Sequence, residues 1–401
     1  MQLTGSLWLS QFLGAANAMA QTTLAPRFFV EIIVSGGWHT SLAMDPWLAA
    51  TRLDEKDAFI EYREDQVIRN GNIALGPAML SLNRFAPKMN IINGIFISAT
   101  DGGHEAAEIY GTTGRGDGLA GTFAVEYELS RNASAMGIVT SSSLYKGQSS
   151  ARSTSTQEIA NTSVNALQDI PFQNPNSPIA NSLLLQKQNA AQYKVLQELI
   201  ASMKAVNPQL EEGQLTAAAF KSGLAATASL RLNRESLDTH QNHPVQHLAS
   251  LTKVFEQIKN IFEAFEKIEW ANGQSLFDAT TFYITSEFSR TPALDGAKGT
   301  NHNPLNNSAI IIGPDFKGNQ VFGASRIIPS AVSAVGTSYL TAQMVDLTTG
   351  ELMKSKEEAQ KRGSLIRPEI IIATLADGMK IQRNIFAPVG MDVPSIKLLL
   401  K

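Results

Sequence analysis

The chain has 401 residues, no cysteine, a net charge of −3 and only 17% charged residues. The missing cysteines exclude disulfides, thiolate catalysis and Cys-ligated zinc or iron–sulfur centres, so any metal must use His, Asp, Glu or hydroxyl donors. The near-neutral balance, without a Lys/Arg block, argues against a nucleic-acid partner, while 43% hydrophobic residues suffice for a sizeable core.

Residues 1–20 end in Ala18-Met19-Ala20, a small-x-small pattern after a weakly apolar run. This predicts an export signal and a periplasmic or secreted protein, with an amphipathic N-terminal helix as the alternative because "MQLTG" carries no basic side chain. No later stretch reaches eighteen apolar residues, so no transmembrane helix is expected. "RFFVEIIVSGG" from Arg27 reads as a buried strand meeting a glycine turn, and "MNIINGIFIS" at Met89–Ser98 as a second strand. "AMGIVTS" at Ala135–Ser141 is a third. From Ser142 the composition turns to Ser, Thr, Asn and Gln, and residues 183–230 then read as mostly helical. An insertion or cap is expected over about 142–225, on a single domain spanning 21–401. "ATASLRLN" is a further strand before Asp238. The clearest helix follows, with Leu248, Leu251, Phe255, Ile258, Phe262, Phe265 and Ile268 in one stripe, closed by Asn272-Gly273. Strands at Thr281–Thr285 and Ser308–Pro314 and a helix from Pro368 complete the pattern. Strands alternating with helices predict an α/β fold, three-layer αβα, with a mainly parallel central sheet. Ligands bind beyond the carboxyl ends of such strands, and four polar clusters fall at those ends.

Each cluster contains a histidine. Asp238 and His240, two apart in an extended segment, can point to one side and make half of a site for a hard or borderline metal; the plainer reading is helix capping. His243 and His247 follow, as an outlying ligand and as a packing residue. Glu287 is a candidate ligand or base, Arg290 a candidate anion clamp and His302 a candidate ligand in a glycine- and asparagine-rich loop. A surface Glu287–Arg290 ion pair is the plainer alternative. His39 and Asp45 follow the first strand. His104 and Glu105 open a helix that Asp101 would cap, and Ser98 and Thr100 are candidate hydroxyl nucleophiles. No G-x-S-x-G elbow or nucleotide-binding fingerprint is present.

Taken together, "SLDTHQN", "TSEFSRTP", "GTNHNP" and "GNQVFG" resemble a bacterial family known as domain of unknown function 1501, related to the alkaline phosphatase and sulfatase superfamily. Asp238, Thr239 and His240 match its "GWDTH"; Ser286, Glu287, Phe288, Arg290, Thr291 and Pro292 match its "SEFGRTP"; His302 matches its "G-x-DH". "SGGWHT" resembles its "GG-x-D" turn, and "GGHEAAEIYGTTG" its "SH…A…Y…TG" segment. The resemblance spans roughly residues 27–390 and implies an alkaline-phosphatase-like fold and export. It also implies a divalent metal (zinc, manganese or calcium) held by Asp238, His240, Glu287, His302, His39 and His104. With it, the candidate catalytic set is Arg290, Glu287 and, from its place after the second strand, Thr100, acting on an anionic small molecule or ester. The chain departs from the family at His39 and Asn301, where aspartates are usual, at Ser289 for glycine, and at Ser236-Leu237 for Gly-Trp. Two functions follow: metal-assisted hydrolysis of a phosphate or sulfate ester, or a catalytically degenerate relative with a binding or structural role.

Overall fold

The computed structural model describes residues 28–47, 62–113, 137–140, 152–161, 178–232, 236–329, 339–380 and 393–401. The expected export segment lies outside these residues. Eight strands form the central sheet: β1 (Phe28–Val34), β2 (Asn90–Asn93), β3 (Gly137–Thr140), β4 (Arg152–Ser155), β5 (Ala225–Leu232), β6 (Thr280–Ser286), β7 (Ser308–Ile312) and β8 (Gln320–Phe322). Their order is β8-β2-β7-β6-β1-β5-β3-β4. β7 runs antiparallel to both neighbours, and every other pairing is parallel. The expected mainly parallel sheet is present.

β1 shows why its sequence is apolar at every position but Glu31. Phe28, Val30, Ile32 and Val34 join the core on one face, and Phe29 joins the core on the other. A strand covered on both faces has no solvent side to alternate with. The first face is covered by helices α3 (Glu212–Lys221) and α4 (His243–Glu266) and by a 3-10 run at Pro77–Lys88; the second is covered by α1 (Gly103–Thr113) and α5 (Pro368–Met379). Three layers result. No described helix is long and apolar enough to cross a membrane.

α4 is the predicted stripe. Leu251, Val254, Phe255, Ile258, Ile261, Phe262 and Phe265 are all buried along it. Asn242, with a left-handed φ of 52°, turns the chain into the helix, and Pro244 occupies its first turn, where no N–H is needed. The helix ends at Glu266. Asn272-Gly273 is instead the tip of a short hairpin, both residues at positive φ, as a two-residue turn demands.

The stretch read as an insertion contributes to the main layers. Arg152–Ser155 forms the outermost strand, and helix α2 (Pro178–Val206) leads to α3, whose Phe220 ring stacks on Phe28 at 5.2 Å. Ala217, Ala218 and Ala219 let α3 lie close against the core. The helical reading of 183–230 ends at Lys221, because β5 supplies the strand beside β1.

Candidate metal centre

Five chain segments meet at the carboxyl edge of the parallel strands. The turn after β1 brings Gly36, the segment after β2 brings Asp101 and His104, and the loop after β5 brings Asp238 and His240. The loop after β6 brings Glu287 and Arg290, and the loop entering β7 brings His302. Gly36 has φ 107°, and a Cβ there would lie 2.9 Å from the Asp238 nitrogen, so only glycine fits the approach. Its N–H donates to Glu287 Oε1 at 2.7 Å, and its carbonyl accepts from Arg290 Nη2 at 2.7 Å.

Three imidazoles converge on one carboxylate oxygen. Asp238 Oδ1 lies 3.0 Å from His240 Nε2, 3.4 Å from His104 Nε2 and 3.6 Å from His302 Nε2. His240 Nε2 and His302 Nε2 are 3.2 Å apart. The donor atoms of His104, Asp238 and His302 all lie within 4.8 Å of one another. Zinc bound tetrahedrally at about 2.0–2.1 Å needs donors roughly 3.3 Å apart, so these spacings suit it. The opposite ring nitrogens are occupied. His104 Nδ1 meets Glu287 Oε1 at 2.6 Å, and His302 Nδ1 meets Asp101 Oδ2 at 2.9 Å. Each carboxylate keeps a proton on Nδ1 and so turns the Nε2 lone pair toward the cluster, as outer-shell carboxylates do for metal-ligating histidines. His104 Nε2 is buried and makes no hydrogen bond. Three carboxylates with one guanidinium at one place also leave room for a divalent charge.

The electrostatics follow the contacts. Burial opposes charge on Glu287, but hydrogen bonds from His104, Gly36 and Ser286 outweigh it and hold its carboxyl below the ordinary range. The Glu287 hydrogen bond raises His104 against the opposing effect of burial. Burial and the Arg290 charge lower His302, against the pull of Asp101. Burial also works against charge on Asp238, and the contact with Arg290 reverses this.

Of the candidate ligands, Asp238, His104, His240 and His302 stand together. Glu287, fully buried, reaches the cluster through His104. Arg290 is turned inward: its Nε and Nη2 donate to the Gly36 carbonyl, Nη1 donates to the Thr300 carbonyl at 3.0 Å, and Nη2 pairs with Asp238. Its fork positions Asp238 and the glycine turn, which uses the donors an anion clamp would need. His39 lies in the core, its Nδ1 on Ser41 Oγ at 3.1 Å and its Nε2 on the Thr291 carbonyl at 3.2 Å. Its ring packs against His243 and His247, with centroids 5.2 and 5.9 Å away. Thr100 is exposed and meets Ser98 Oγ at 3.4 Å. Asp45 is buried on Ser325 and Trp47. Asp101 does cap α1, accepting from Gly103 N–H at 3.0 Å. Its pairing with His302 is not legible in the sequence, since a cap signal gives no sign of a second partner 201 residues away.

No curated protein matches the sequence significantly. Among solved structures, the chain is similar to a 2-O GAG sulfatase (10% identity, 94% of this chain and 74% of that one, TM-score 0.42). It is also similar to a protein in the alkaline phosphatase superfamily from Vibrio parahaemolyticus (9%, 91% and 89%, TM-score 0.37). A third is a putative sulfatase from Bacteroides thetaiotaomicron (9%, 94% and 75%, TM-score 0.39). At TM-scores of this size no residue role passes from them to this chain. Residues 197–352 match the family model described as "Protein of unknown function (DUF1501)", and this segment, less than half of the chain, carries Asp238, His240, Glu287, Arg290 and His302, so the resemblance read from the motifs holds over it.

Proposed function

We propose that the protein is a metal-dependent hydrolase of phosphate or sulfate esters, acting outside the cytoplasm. One observation carries this reading: His104, His240 and His302 aim Nε2 atoms at Asp238 Oδ1, while Glu287 and Asp101 hold two of those rings from behind. His104, His240, His302 and Asp238 would hold the ion. Three imidazoles with one carboxylate suit zinc better than calcium, which prefers an all-oxygen shell. A divalent ion there supplies Lewis-acid polarisation of an ester oxygen and lowers the pKa of a hydroxyl or water. Glu287 and Asp101 keep the rings in the tautomer that ligation requires. Arg290 holds Asp238 charged and in place. Export rests on the pattern ending at Ala20.

A second reading, a metal-holding protein with a binding or structural role, is favoured by one observation. Among the described residues no serine or threonine hydroxyl hydrogen-bonds to Asp238, His104, His240 or His302, and Arg290 is engaged internally. Elemental mass spectrometry on untagged protein, beside Asp238→Ala/His240→Ala, tests both. Near-stoichiometric metal in the wild type alone is expected, and metal absent from both after zinc, manganese or calcium is supplied would overturn both readings. With metal present, turnover of aryl phosphate or aryl sulfate esters supports the hydrolase, and inertness toward both supports the second reading.

A further inference from the structure

Thr239 stands between two of the candidate ligands, yet its side chain turns the other way. Asp238 and His240 are exposed, while Thr239 is buried, 2% accessible. Its hydroxyl lies between two core imidazoles, 2.7 Å from His243 Nδ1 and 3.0 Å from His247 Nδ1. We infer that Thr239 is a positioning residue: a directed hydrogen-bond chain, from the His39 backbone N–H through His247 and Thr239 to His243, fixes the loop that carries Asp238 and His240.

The direction follows from counting protons. The His39 N–H donates to His247 Nε2 at 3.1 Å. A backbone nitrogen can only donate, so this Nε2 offers its lone pair, and the neutral ring carries its proton on Nδ1. That Nδ1–H donates to Thr239 Oγ1. The threonine hydroxyl has one proton left to place. His243 Nδ1 at 2.7 Å is nearer than the Leu237 carbonyl at 3.3 Å, so the proton goes to the ring. Thr300 Oγ1 also reaches His243 Nδ1 at 3.0 Å, and the Thr300 N–H donates to the Thr239 carbonyl at 3.0 Å, tying in the loop that leads to His302. A second proton on His247 would set one N–H against another at His39. The chain is therefore directed at His247, where there is no place for an added charge. Burial acts in the same sense, keeping His247 far below the ordinary histidine value.

The arrangement explains why a threonine separates the two ligands. Valine would fill the same space without the hydroxyl, and serine would keep the hydroxyl without the methyl. The positioning role rests on the metal reading above; the hydrogen-bond chain does not.

Two measurements test it. Long-range proton–nitrogen correlation spectra of the metal-free full-length protein at neutral pH report the tautomer of each ring. His247 is expected as the Nδ1–H form, the minor tautomer of free histidine. Zinc affinity, by competition with a chromophoric chelator, is expected to fall about 10–100-fold in Thr239→Val, as for loss of other outer-shell partners, and to stay within a few-fold in Thr239→Ser. His247 found as the Nε2–H form or as imidazolium would overturn the inference. Wild-type zinc affinity in Thr239→Val, with a folded circular dichroism spectrum, would do the same. Should Thr239→Val not fold, the spectra and the serine variant decide: a serine variant weakened a hundred-fold would assign the role to methyl packing and overturn the chain. Failure of the wild type to take up zinc would overturn the metal reading and the positioning role with it, and the tautomer spectra identify that case because they need no metal.

Discussion

The six histidines form two trios on opposite sides of Thr239, and the two trios are chemically different places. In the outer trio, His104 and His302 lean on carboxylates and, with His240, face one oxygen of Asp238. In the inner trio, His243 and His247 stack and His39 meets both edge-on, among hydroxyls and backbone groups, with no carboxylate partner among the contacts described. Burial and the neighbouring Arg290 charge keep the inner rings neutral: His39 is lowered to about 4 and His243 to about 2. The same side chain is a candidate ligand where a carboxylate orients it at a surface, and a neutral packing element where only dipoles meet it in a dry core.

The contrast breaks most sharply at Asp238. Asp238→Ala removes the one anion on which the outer rings converge and leaves buried Arg290 without its carboxylate. Zinc affinity should fall on the order of a hundred-fold or more, readable by chelator competition, and a variant that binds like the wild type would end the metal assignment. Glu287→Gln keeps the size of the side chain but loses the charge behind His104; a loss of about 10–100-fold is expected. Asp101→Asn should cost less, about ten-fold, because Asp101 is itself half exposed and its field is screened. An Asp101 effect larger than that of Glu287 would invert the assigned order.

The inner trio predicts stability instead of affinity. His39→Leu should leave zinc binding within a few-fold, and should weaken the loss of stability that the wild type shows on acidification. The sign is fixed by the lowered pKa. Between the ordinary value of 6.5 and about 4, the unfolded chain takes up a proton that folded His39 refuses, so stability is full above 6.5 and falls as pH falls. Glu31 acts oppositely. Burial, eased by a Ser229 hydrogen bond and reinforced by Glu108, raises it from 4.5 to about 8. Its contribution is full below 4.5 and is lost as pH rises through about 8. In urea titrations across this range, His39→Leu should flatten the fall in stability below pH 6.5, and Glu31→Gln the fall as pH rises toward 8. Each of these two slopes is one proton at most.

Much of this was legible in the chain. The strand at Phe28, the stripe of α4 and the polar clusters at strand ends follow from local pattern, because burial on one face or on two imposes its own period on a sequence. The pairing of Asp238 with His240 followed from their spacing of two in an extended segment. What the sequence could not supply was direction. His39 and His104 read alike, each a histidine just after a strand, yet one ring points into the core and the other to the edge. Arg290 looked like a clamp for a ligand, and its fork is used by Gly36, Thr300 and Asp238. Asp101 reads as a cap because a cap is local; its second oxygen serves His302, 201 residues away. Sequence by itself determined the α/β class, the cysteine-free donor set and the placement of polar segments at strand ends, since these depend on composition and short-range period. Only the tertiary structure decided which histidines turn outward to share a carboxylate and which turn inward to share a threonine, because that choice is made by long-range contacts whose partners no local pattern names.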